Sequence, residues 1–484
     1  MSERTVFAPV ETLVPTTEHT IHGYNNAGAF QTYEVFDVTG ESPEMKAASA
    51  FREEQKRLFL EGEIVNPVLN NCPKFTLERG RRRNLYAQTL ATVYTRRLMF
   101  ADGREGTLED ELFEDMLDLR LREVNFVETA AIVAEGNIAP EERERLADIL
   151  KRGARECYGM PDRDDALTLI GTRLEKAEKI ALEPEHPARQ TARELLDMVA
   201  LPEYEQQEPP QLSPETAQYY REIIRGECEE AVEYAFATIG KKDIYTPEEM
   251  RVSFDRYLEY RNIAQEGWHS VVIPNRASCA AKMATLAIEI GENRDPAQLK
   301  YGPVLESELH EGEIHAGRQA RGKKLGSGLA EFGLRDYVFF EEAFADIWAA
   351  LYSGQPKRKG EPYVMGIALA DGYDGLERDF RDNYETLWRL GFVNTYTAKK
   401  PVAEQMERSQ KRAYTSLVRL WRGMPTDVPG CVGPKDRAYD NTKVLRYLQP
   451  DGGRLSKADF LRLIQAKYDP TNPKQDAYIR SLAA

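Results

Sequence analysis

Nowhere in the 484-residue chain do apolar residues run together long enough to approach the roughly 18 that a membrane-crossing helix needs. No membrane partner is therefore expected. Cysteine is sparse: Cys72, Cys157, Cys228, Cys279 and Cys431 lie far apart, with no CxxC pair. That excludes a cysteine-built zinc site and a disulfide framework, and it fits a reducing, cytoplasmic setting. The opening MSERTVFAPVETLVP has no basic region followed by an apolar stretch, so no secretory signal is expected. Positive charge is in deficit too. Lys and Arg number 65 against 80 Asp and Glu, a net charge of −15. A general nucleic-acid binder needs clustered basic surface, so that class is set aside.

What is present suits a folded, water-exposed chain: 42% apolar, 30% charged and 10% aromatic. Its length favours more than one lobe. Residues 1–42, rich in Thr, Gly, Asn and Pro, read as an irregular arm. Residues 43–201 carry apolar positions at three- and four-residue spacing and read as a helical accessory region. The polar, proline-rich PEYEQQEPPQLSP (202–214) reads as a linker, leaving 215–484 as the catalytic region. Within it, helices are expected over 215–238 and 247–264. HSVVIPN (269–275) and MATLAIEIG (283–291) are expected as strands, and a helix should begin near Pro303. The fold class expected is α+β, mostly helical, with a small sheet and a helical N-terminal region.

Histidine is scarce, six in all, yet two fall within LESELHEGEIHAGRQ, residues 305–319. His310, Glu311 and His315 are the donor types of a catalytic zinc site, two imidazoles with a carboxylate as general base. The five-residue spacing is the difficulty, because on an α-helix it places the rings about 140° apart. A π-type turn would absorb the extra residue, and Gly312 makes the distortion cheaper. On spacing alone, an exposed acidic helix with two incidental histidines competes with this reading.

A second feature favours the metal. RDYVFFEEAFADIWAAL (335–351) reads as a largely buried helix, yet it carries Glu341, Glu342 and Asp346. Buried carboxylates are costly unless paired or bound to a metal. Glu342 and Asp346, four apart, share a face. Glu342 is the expected third ligand, with Asp346 accepting from a ligating imidazole; Glu341 is expected to point elsewhere. Only one such cluster is visible, so one zinc per chain is expected. Strands leading into a helix that bears His-Glu are the layout of a zincin-like catalytic domain.

These motifs resemble those of the microtubule-associated tyrosine carboxypeptidases and the bacterial QEGLA-motif proteins. HEGEIH followed by Arg318, then KKLGSGLAEFGL, then EEAFA, is similar to the family's HEIGTH, glycine-rich and QEGLA strings. RLWRGMPTDVPGCVGPKDRAYDNTKVLRYL (419–448) looks like a further block of the family, at Arg422, Gly423, Lys435, Asp436 and Tyr439. VNPVLNNCPKFTLERG (65–80) is more weakly similar to its N-terminal proline-aromatic segment. The likeness supports His310 and His315 as ligands, Glu311 as base and Glu342 as third ligand. It departs where Gly-Thr becomes Glu-Ile and QEGLA becomes EEAFA, which bears on the pocket lining.

The resemblance implies a zinc-dependent carboxypeptidase that releases tyrosine or another aromatic residue from a peptide or protein C-terminal tail. In this reading Glu311 activates a water at the zinc and Tyr439 is the candidate oxyanion donor. Arg422, Lys435 and Arg318 are the candidates for pairing with a terminal carboxylate, each with an ordinary surface or salt-bridging role as its competitor. MATLAIEIG is expected to serve as an edge strand for substrate, or else as an ordinary core strand. RGRRR (79–83) reads first as a solvated helix start and second as a landing for an acidic tail. The alternatives are a metallopeptidase of other specificity, endo- or aminopeptidase, and a non-enzymatic regulatory protein that keeps zinc for structure.

Overall fold

A computed structural model describes residues 42–71, 106–136, 138–206, 210–283, 285–354, 361–433 and 441–483. Nearly all of the expected arm, the RGRRR run, Lys435, Asp436 and Tyr439 lie outside the described residues. The fold is α+β and mostly helical, with one three-stranded sheet. Among the described residues no helix is long and apolar enough to cross a membrane.

The first five helices are α1 (Pro43–Leu60), α2 (Leu108–Glu135), α3 (Pro140–Tyr158), α4 (Arg163–Leu182) and α5 (Arg189–Met198). No helix or strand covers the described residues of the expected linker before Pro214. Then come α6 (Pro214–Ala237) and α7 (Pro247–Tyr260). Ser42, Thr107, Ser213 and Thr246 cap α1, α2, α6 and α7, each accepting from the backbone N–H three residues on. Proline at the first position starts three of them, where its missing N–H costs nothing.

Strands β1 (His269–Ile273), β2 (Cys279–Lys282) and β3 (Ala287–Gly291) follow. The order is β1-β3-β2, with β3 parallel to β1 and antiparallel to β2. This corrects one expectation. The 283–291 segment supplies the central strand, so its backbone is paired on both sides and it is no edge for a substrate. The edge beside the candidate site is β2, whose CAAK sequence carries no β-branched residue to announce a strand.

Helix α8 (Tyr301–Ser307) runs directly into a π-helix (Glu308–Ala316) and on into α9 (Gly317–Lys324). After α10 (Gly328–Phe332) comes α11 (Tyr337–Ser353), then α12 (Glu361–Ala370), α13 (Phe380–Thr395) and α14 (Val402–Leu420). The chain ends with α15 (Asn441–Leu448), α16 (Lys457–Arg462) and α17 (Pro473–Leu482).

Two apolar cores form, and they do not follow the linker. The first joins α6, α7, the sheet, α8 to α11 and the C-terminal α15 to α17, together with Leu112–Val124 of α2. The second joins Phe59, the Phe126–Val133 half of α2, α3 to α5, and residues 364–432. Residues 215–484 contribute to both cores. Helices α12 to α14 lie with the N-terminal helices, and the two halves of α2 are buried in different cores.

Candidate metal centre

The π-helix resolves the spacing problem. Hydrogen bonds to the fifth residue back, such as Gly317 N–H to the Gly312 carbonyl, bring residues five apart onto one face. His310 Nε2 and His315 Nε2 stand 3.1 Å apart. The distortion is anchored from behind by Glu313, buried on the opposite side. Its carboxylate accepts from both Arg261 Nε (2.9 Å) and Nη2 (2.8 Å), and from the Tyr257 hydroxyl at 2.9 Å. Arg321 Nη1 lies 3.1 Å from it. Gly312 fits beneath the Tyr257 ring, where a Cβ would stand 3.4 Å from Cδ1.

Helix α11 supplies carboxylates to both rings. Asp346 Oδ1 lies 3.2 Å from His310 Nδ1, as its face with Glu342 led us to expect. Glu341 Oε1 lies 2.7 Å from His315 Nδ1, so Glu341 does not point away from the site but supports the second histidine. Glu341 is buried and is itself held by Lys467 Nζ and by Arg318 Nη1, the latter at 2.9 Å. Burial alone would raise its pKa, but Lys467, Arg318 and His315 together hold it far below the usual carboxylate range. Its partners thus favour the carboxylate form.

Arg318, a candidate for substrate with salt-bridging as its competitor, is fully buried and takes the salt-bridging role. Besides Glu341 it donates to the carbonyls of Ala466 at 2.6 Å and Tyr468 at 2.8 Å. Its fork is spent on holding the histidine's carboxylate, which leaves none of it facing a ligand. Arg422 lies just beyond α14, half-buried beside Trp421 and Met424 of the second core. No hydrogen bond joins it to either histidine among the described residues. Lys435 and Tyr439 lie outside the described residues.

With a carboxylate on each Nδ1, each ring keeps a proton there and turns its Nε2 inward. Two Nε2 atoms at this separation repel unless a cation lies between them, either a metal ion or a proton that one ring donates to the other. A tetrahedral zinc ion about 2.0–2.1 Å from both nitrogens would hold them about 3.3 Å apart, close to the separation found. Glu342 Oε2 is 3.8 Å from both Nε2 atoms, equidistant and facing them. Glu311 Oε1 is 4.0 Å from His310 Nε2, while its Oε2 accepts the Ala281 N–H of β2 at 2.8 Å. His310, Glu311 and His315 thus form a cluster able to hold a metal ion. Glu342 suits the third ligand position better than Glu311, because it faces both nitrogens alike and is not tied to the strand.

The surroundings favour positive charge. Burial works against a charged His310 ring, but the Asp346 hydrogen bond and the charges of Glu311, Asp346 and Glu342 outweigh it and raise the pKa to about 9. A proton and a metal therefore compete for the same nitrogen. Below that pKa, binding of a metal ion should release one proton, and apparent affinity should rise about tenfold per pH unit. Competition with a chelator between pH 6.5 and 8 checks this, and an affinity independent of pH over that range would contradict it.

Comparison with protein-family models, with curated proteins and with solved structures finds no match to this chain.

Proposed function

We propose that the chain is a zinc-dependent metallopeptidase of zincin-like fold, with zinc held by His310, His315 and Glu342 and with Glu311 as general base. The observation that carries this reading is the pair of inward-facing Nε2 atoms 3.1 Å apart, each ring fixed from behind by its own carboxylate. A bound zinc ion would act as Lewis acid on a scissile carbonyl and ease deprotonation of water.

The chain's own residues do the rest. Glu311 Oε2 is anchored to β2, which leaves Oε1 on the histidine side to take a proton from water and pass it to the leaving amine. In the antiparallel ladder, the N–H of Ala281 points away from β3, and so does the backbone of Cys279 two residues back. With the Ala281 N–H taken by Glu311, the backbone of Cys279 is the part of that edge left to an extended peptide.

The resemblance supports the finer reading, a carboxypeptidase acting on a C-terminal tail with an aromatic residue preferred, and Tyr439 and Lys435 as contributors. A purely structural zinc site has no use for Glu311 as a base. Incubating the zinc-loaded protein with a tyrosine-ended peptide, followed by mass spectrometry, tests the reading. Loss of one C-terminal residue, stopped by a chelator and restored by zinc, is expected. Internal or N-terminal fragments would transfer the site to an endo- or aminopeptidase. No cleavage at one zinc per chain would favour the regulatory protein.

A further inference from the structure

Val338, in the first turn of α11, is 40% exposed, although the rest of that helix is largely buried. Single apolar side chains on a surface are ordinary. The position of this one sets it apart. Val338 stands four residues before Glu342, displaced by about 40° around the helix axis and about 6 Å along it. Helical side chains lean toward the N-terminus, which carries the Glu342 carboxylate over the Val338 turn. That carboxylate faces His310 Nε2 and His315 Nε2, 3.8 Å from each. An exposed apolar residue therefore lies one turn from the carboxylate that faces the histidine pair.

Apolar side chains flank it on both sides. Tyr337 and Phe339 project about 100° to either side of Val338. Half-buried Phe339 packs against the end of α3, where a Cβ on Gly159 would stand 3.7 Å from Phe339 Cζ. The residue after Gly159, Met160, is itself 38% exposed. On the other flank the Tyr337 hydroxyl reaches Met283 Sδ at 3.8 Å. Met283 lies two residues beyond Ala281, whose N–H Glu311 holds, so the chain leaving β2 meets α11 beside the candidate metal centre. The charges just before α11, Arg335 and Asp336, pair with each other at 3.4 Å.

The structure assigns Val338, Phe339 and Met283 to an apolar subsite that takes the side chain of the substrate residue flanking the scissile bond, with Val338 as its specificity determinant. This rests on the zinc peptidase reading of the metal centre. An aromatic or large aliphatic side chain placed there removes apolar surface from water on both partners. An acidic side chain would instead lie beside the Glu342 carboxylate, where like charges repel.

Probes anchored on the metal separate the subsite from catalysis. 3-Phenylpropanohydroxamic acid and acetohydroxamic acid grip zinc through the same group and differ in the side chain they carry. Both would be titrated calorimetrically into the zinc-loaded protein and its Val338→Asn, Val338→Thr and Leu182→Asn variants. The parent should bind the phenyl-bearing acid about tenfold or more tightly, in line with burial of an aromatic ring. Val338→Asn should cut that ratio by roughly threefold or more at unchanged zinc content, since the apolar contact is lost. Val338→Thr should cut it by less, and it decides in the same way if the asparagine variant loses zinc. Leu182→Asn, at a residue 81% exposed at the end of α4, should leave the ratio as it is. A ratio near one in the parent, a ratio that survives substitution of Val338, or one cut equally by Leu182→Asn overturns the inference. A chain that takes up no zinc overturns the inference and the peptidase reading together. A Val338-dependent ratio in a zinc protein that cleaves no peptide upholds the apolar subsite and refutes the peptidase reading.

Discussion

Glu311→Gln should retain one zinc per chain and lose peptide hydrolysis by about 10²–10⁴-fold in kcat, the usual contribution of a positioned acid or base. The amide keeps the shape of the side chain and can still accept the Ala281 N–H through its oxygen, so β2 and the π-helix stay in register. What disappears is a group able to take a proton from water. Substrate affinity should change little, because Glu311 is not assigned to binding. Turnover by the parent and the variant, measured beside their zinc content, checks this. Undiminished turnover would remove Glu311 as base, and loss of the metal would show that Glu311 is a ligand instead.

A larger effect is expected at His315. His315→Ala removes one of the two inward nitrogens and leaves Glu341 facing only Lys467 and Arg318. Zinc should fall from one per chain to near zero after dialysis, and hydrolysis should fall with it. The loss should exceed that of Asp346→Asn, which alters only the carboxylate behind His310 and should weaken metal binding by roughly 10–100-fold. Circular dichroism would confirm that the helices remain, since Glu313 and its arginines still brace the π-helix. Stoichiometric zinc in folded His315→Ala would reject the ligand assignment.

Much of the centre was legible because its constraints are local. Two histidines five apart next to glutamate cannot share an ion on an α-helix, so the sequence itself called for the π-turn that Glu308–Ala316 supplies, although over nine residues rather than one turn. The four-residue interval between Glu342 and Asp346 likewise placed Asp346 behind a histidine. Glu341 was misjudged for a physical reason. On a helix packed along its whole length, a residue off the metal-facing stripe can still reach the outer nitrogen of the second ring, and two adjacent acidic residues within an apolar helix were the available signal. For Arg318 the sequence leaves a substrate cation and a salt-bridging residue both open, because the contacts that bury it come from residues 466 and 468, far away in sequence; the structure shows the salt bridge. The same limit explains Lys467, the second cation on Glu341, which stands in a C-terminal stretch without any motif.

The sheet shows the limit of residue propensity. The β-branched run of β1 and the alternating apolar pattern of β3 are readable, but CAAK in β2 is not, and without β2 the sequence leaves the central strand open as an edge or a core strand. The packing of the cores is less legible. The proline-rich stretch before α6 interrupts the helices, yet a break in helix does not tell which core the later helices will join. The apolar EPYVMGIALA of α12 fits either, and tertiary packing assigns it to the second.

The most direct test of the proposed zinc centre is a crystal structure of the zinc-loaded protein with anomalous diffraction recorded on either side of the zinc absorption edge. The account predicts one strong peak per chain, about 2.0–2.1 Å from both His310 Nε2 and His315 Nε2 and about 2.0–2.2 Å from a Glu342 oxygen, with Glu311 outside bonding distance and still on the Ala281 N–H. A peak ligated by Glu311 in place of Glu342, a peak elsewhere in the molecule, or no peak at all would contradict it.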